Sequence, residues 1–94
     1  MSNQTDSLST LHILNKAPGH PRFTACLVAM SEGDLLLLTG NAVLALVDDN
    51  VRLPASTQAL AADCKARGIG GDAPLVDYRG MVQLTDRFSR IISW

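Results

Sequence analysis

The stretch Asp34-Leu35-Leu36-Leu37-Leu38 constrains this chain more than any other. Four leucines in a row leave no polar side for water. A strand sends successive side chains to opposite faces, so a strand made from this run is buried on both. Such strands occur in parallel sheets with helices packed above and below. The run is far too short to span a bilayer. An α/β protein is the expected result, and the remaining elements follow from asking what surrounds this strand.

Upstream, "LSTLHIL" alternates in part and fits a first strand. "NKAPGHPR" packs two prolines and a glycine into eight residues and must be a loop. From Pro21 the pattern turns helical, since proline is tolerated at a first helical position. Phe23, Cys26, Leu27 and Met30 form a core stripe at i, i+3, i+4 and i+7. Ala25, Val28 and Ala29 are apolar as well, which predicts cover on more than one side. Gly33, in "SEGD", is placed to end this helix with φ > 0.

Downstream of the leucines, Asn41 is positioned to cap a short helix carrying Val43, Leu44 and Val47. Asp48-Asp49-Asn50 ends it. A short strand near Gln58–Leu60 then runs into a helix with Asp63 early and Lys65 and Arg67 late. Gly68, Gly70 and Gly71 make a turn, "PLVDY" is another strand, and "RGMVQLTDRFSRIISW" closes as a helix, or as a helix with a short tail. About four strand and helix signals alternate. That predicts a small three-layer α/β/α sandwich with a mainly parallel sheet.

Ninety-four residues suit one domain, expected over 9–94 behind a polar leader at 1–8. A chain this size buries roughly 60–65% of the surface it exposes when unfolded. Its apolar share is 47% with only 4% aromatic, so the core must be aliphatic. That share exceeds what so small a core hides, and the surplus predicts a partner chain on the outside.

Eight basic residues against nine acidic give net charge −1, which steers the chain toward neither phosphate backbones nor anionic membranes. The leader has no basic and apolar regions of a signal peptide, so the cytoplasm is the expected compartment. Two widely spaced cysteines there read as free thiols. With no CxxC and no Cys/His cluster, no metal is expected. "NKAPGHPR" lacks both phosphate-loop patterns, and "GIGGD" precedes a strand instead of opening a helix, so no nucleotide cofactor is expected either.

"LHILNKAP", "SEGDLLLL", "DCKARGI", "LVDYRGMVQLT" and the terminal Trp94, in this order and spacing, resemble the TusB/DsrH family from about Leu11 to Trp94. The resemblance implies a DsrE/F/H-type fold. It also implies a heterohexamer with two paralogous DsrE/F-type subunits, similar to TusD and TusC. In the Tus system such a complex passes persulfide sulfur between carrier proteins, toward the 2-thio group of the wobble uridine in certain tRNAs. The related Dsr complex serves oxidation of stored sulfur. No direct contact with nucleic acid or membrane is implied.

Persulfide relay needs a thiolate. In the sulfur-transferring subunit the resemblance puts that cysteine where the third strand meets its helix. Counting from Arg67-Gly68, the matching residue here is Leu60, so the main relay thiol is missing. Cys64 lies a turn later beside Lys65 and Arg67; it reads either as an activated thiol or as a half-buried helix residue. Cys26 matches a first-helix cysteine of DsrH-type members. Two roles stand for it: core or interface packing, and an auxiliary sulfur acceptor, the one catalytic candidate in the chain. The resemblance also carries a histidine at His12, expected to hydrogen-bond a nearby loop. His20 is expected in solvent. Asp77 and Tyr78 end a strand, where α/β proteins place ligands, although Tyr78 also fits as sheet cover. Phe23, Met30 and Trp94 are the candidate interface anchors.

Three functions follow from these readings. The first is a non-catalytic or auxiliary subunit of a sulfur relay for tRNA thiolation. The second is a DsrH-like subunit accepting sulfur on Cys26 in sulfur oxidation. The third is a free-standing oligomerisation or small-ligand module.

Overall fold

The computed structural model describes residues 9–70 and 73–94. The leader at 1–8 and Gly71 of the glycine turn lie outside the described residues. The elements run β1 (Thr10–Leu14), α1 (Pro21–Ala29), β2 (Leu35–Leu38), a 3-10 helix (Gly40–Val47), β3 (Thr57–Leu60), α2 (Ala61–Ala66), β4 (Leu75–Val76), α3 (Tyr78–Arg87) and β5 (Arg90–Ser93). The strands form one sheet in the order β4-β3-β2-β1-β5, and every neighbouring pair is parallel.

The leucine run behaves as its composition demands. Leu36 and Leu38 face a core shared with Leu14, Phe23, Cys26, Val43 and Cys64, under α1, the 3-10 helix and α2. Leu35 and Leu37 face the other way, packing with Leu11 and with Leu84 of α3. Three layers result, with α3 on the second face. All four leucines are buried, which is the cost of a central place in a parallel sheet.

Pro21 opens α1 as expected, and His20 caps it: the Arg22 amide donates to His20 Nδ1 at 3.0 Å. Several local expectations are corrected. The α1 helix stops at Ala29 with Met30 extended, so Gly33 is not its cap. Gly33 instead takes φ +92 in the turn before β2, where an added Cβ would lie 3.1 Å from Ser9 Oγ. Asn41 lies inside the 3-10 helix, and its side chain accepts from Arg67 at 3.0 Å instead of capping. The "PLVDY" strand shrinks to two residues, because Asp77 turns away to cap α3 through the Gly80 amide at 2.7 Å.

The largest difference is at the end of the chain. The final segment holds a helix and then a fifth strand, β5, which pairs with β1 on the sheet's outer edge. Its four residues are exposed, so no burial pattern announces it. Ile91 and Ile92 are β-branched and accept the extended backbone readily.

Candidate functional site

The deepest polar cluster lies between β1, the turn before β2 and the end of β5. His12 is 2% exposed and Asp34 is 7% exposed. The fold forces their meeting: β1 and β2 run side by side, with His12 on Leu36 and the turn into β2 carrying Asp34 just before Leu35. His12 Nε2 lies 2.9 Å from Asp34 Oδ2. Asp34 also accepts from the Thr10 amide at 2.9 Å and the Ser31 amide at 3.0 Å. Burial pushes its carboxyl upward most strongly. The Ser31 and Thr10 amides, then the hydrogen bond and charge of His12, outweigh that and hold it below the ordinary 3.8.

Trp94 closes the cluster. Its indole Nε1–H donates to His12 Nδ1 at 3.0 Å, and the two rings stack with centroids 6.1 Å apart. Lys16 Nζ donates to the Trp94 backbone oxygen at 3.0 Å, and the Arg22 guanidinium lies 5.9 Å from the ring. His12 bonds an acid of the loop before β2, the kind of partner expected for it, and also an indole. Asp34 escaped the sequence reading altogether. The available signal was a lone acid heading an all-apolar buried strand, since a buried carboxylate must be paired.

The thiols sit elsewhere. Cys26 is fully buried under α1, and burial pushes its thiol up to about 11. Cys64 is 2% exposed, more buried than its flanking charges suggested. Burial is also the main cause of its raised pKa; Asp63 adds to the rise, and Arg67 opposes it. At pH 7 a thiol titrating near 11 is thiolate in about one molecule in ten thousand. An alkylating reagent at neutral pH is therefore expected to leave both cysteines unmodified in the native protein and to label both in denaturant. Rapid labelling of either one in the folded chain would contradict this burial.

Leu60 ends β3 and begins α2, with its side chain 3% exposed. Beside it, Asp63 accepts from the Gly40 amide at 2.7 Å and so ties the ends of β2 and β3 together. His20 serves as a cap while Cys26 lies in the core, so the two have separate partners. Tyr78 is exposed, Phe23 is buried in the core, and Met30 and Trp94 pack half-buried against it. Among the described residues, no group of His, Cys, Asp and Glu could hold a metal ion.

Large apolar side chains remain outside. Val28 on α1 is 79% exposed, and Val47, Val82, Leu75 and the Ile91–Ile92 pair are also exposed. Ala25, Val28 and Ala29 are exposed, so the described residues do not supply the cover expected on that side of α1. No helix among the described residues is long and apolar enough to cross a membrane.

Fold and site together define a small all-parallel α/β domain with buried thiols and an uncovered apolar outside. The DsrH family profile, described as "DsrH like protein", matches residues 16–91. Protein TusB from Escherichia coli strain K12 and its counterparts in strains O81 (ED1a) and O6:K15:H31 are 38% identical over 94 residues, covering 89% of this chain and 99% of theirs. The chain belongs to the TusB/DsrH family.

Proposed function

We propose that this chain is an auxiliary, non-catalytic subunit of a cytoplasmic sulfur-relay complex that passes persulfide sulfur toward the wobble uridine of tRNA. The observation that carries this reading is Leu60. An apolar side chain stands at the strand-to-helix junction where the family resemblance puts the transferring thiol. The two cysteines present are buried and held protonated, and a protonated thiol does not attack a sulfane sulfur. Similarity to TusB supports the tRNA branch over sulfur oxidation.

In this role the chain contributes surface instead of chemistry. Its exposed valines and isoleucines fit burial against paralogous DsrE/F-type subunits in a heterohexamer, with Met30 and Trp94 near the rim. Sulfur carriers meet the complex through those subunits.

The test is genetic and chemical together. Cells lacking the chain are expected to lose 2-thiouridine from the relevant tRNAs, and a Cys26→Ala, Cys64→Ala double variant is expected to restore it. Unchanged thiolation without the chain would remove the tRNA role. Rescue by the parent but not by a folded double variant, with a one-sulfur adduct on the Cys26 peptide, would make this a sulfur-accepting subunit.

A further inference from the structure

Trp94 follows the edge strand, and its backbone N–H donates to the Ile13 carbonyl at 2.8 Å. Its side chain turns back over β1 to His12. An indole nitrogen can only donate a hydrogen bond. His12 Nδ1 must therefore present its lone pair, and the single proton of a neutral ring sits on Nε2, facing Asp34. The relay runs one way, from Trp94 to His12 to Asp34. It is complete for one protonation state of the imidazole alone.

We propose that Trp94 is a pH-sensitive latch on the edge strand, closed by neutral His12 and released when the ring takes a second proton. That proton adds to the Nδ1 lone pair. It turns an acceptor into a donor aimed at another donor, the indole N–H, 3.0 Å away. The Nε2–H bond to Asp34 survives, so the tryptophan contact is the one that fails.

The groups facing His12 set the balance. Asp34, from the turn before β2, favours the charged ring. Arg90 of β5 opposes it, lining with His12, Asp34, Ile92 and Trp94 a cavity of about 220 Å³. Arg22 at the Trp94 ring and Lys16 at its backbone oxygen add positive charge beyond. Thr10 and Ser31 complete the polar lining without charge. Once released, β5 keeps its ladder to β1 but loses its side-chain anchor. Its residues are exposed, so the ladder alone then holds the edge strand in place.

NMR on the ¹⁵N-labelled full chain tests this across the acid range in which the fold persists. The indole Nε1–H resonance is expected to move in step with protonation of the His12 ring nitrogens. Protection of the Trp94 amide, taken relative to the unstructured-chain exchange rate at each pH, should fall about fivefold to tenfold, the factor that matches losing one hydrogen bond. W94F keeps an aromatic ring but loses the donor, so its His12 should take the proton at a higher pH than in the parent. H12Q should make the indole response flat with pH. An indole resonance that stays fixed while the ring titrates would overturn the latch. So would a ring that stays neutral until the whole chain unfolds, or W94F titrating where the parent does.

Discussion

Replacing Asp34 by alanine is expected to cost about 3–5 kcal/mol of stability, close to the whole margin of a small domain. The carboxylate receives three donors: the Thr10 amide, the Ser31 amide and His12 Nε2. Its removal leaves all three facing a cavity. A buried donor left unpaired costs about 1–3 kcal/mol, and relaxation toward water recovers part of the sum. Chemical denaturation of D34A against the parent measures this directly. A loss below about 1 kcal/mol would mean that the cluster is not the anchor of β1 and β2 that its geometry implies.

Asp34 also gives stability a pH dependence of fixed sign. Its carboxyl is held below the ordinary 3.8 in the folded chain, so below that value the unfolded chain binds the proton more readily. The stabilisation from Asp34 is complete above 3.8 and is lost as the pH falls through the lower, folded value. D34N, which cannot titrate, should show a shallower fall of stability below pH 3.8 than the parent.

Leu36→Ala is the second large effect, expected at about 2–5 kcal/mol. Leu36 is fully buried at the centre of the sheet, between His12 on β1 and Thr57 on β3. Its removal opens a cavity beside Leu14, which the sheet ladder holds, and Phe23 and Cys26, which α1 holds, in a close-packed core that cannot simply collapse. Val28→Ala is the control. That side chain is 79% exposed, so in the isolated chain its loss should stay within about 0.5 kcal/mol. In an assembled complex the same change is expected to cost more, if α1 is a docking face. Thermal or urea denaturation of the three proteins reads both comparisons.

The central sheet was legible because burial wrote it into the side chains. "DLLLL" has one stable environment, and the helix stripe at Phe23, Cys26 and Met30 has one sensible orientation. The fifth strand was not legible, because an exposed edge has no such pattern. Arg90-Ile91-Ile92-Ser93 reads equally well as a helix tail, and only pairing with β1 decides. Gly33 and Asn41 misled because cap chemistry and turn chemistry use the same residue types. Asp34 was hidden for a different reason: besides the local Ser31 amide, its partners are the Thr10 amide and His12, brought near only by the β1–β2 register. The thiols could be placed on helices from sequence. Their burial depended on which way each helix faced, and the charges beside Cys64 pointed the wrong way.

In the proposed function this chain works as a docking surface without a reactive thiol. Native mass spectrometry of the purified protein, alone and mixed with the DsrE- and DsrF-type paralogues of its own organism, tests that claim most directly. Stable mixed assemblies containing all three chains are predicted, with exposed Val28 and the β5 edge protected from exchange inside them. A monodisperse monomer that ignores both paralogues at micromolar concentration would contradict it.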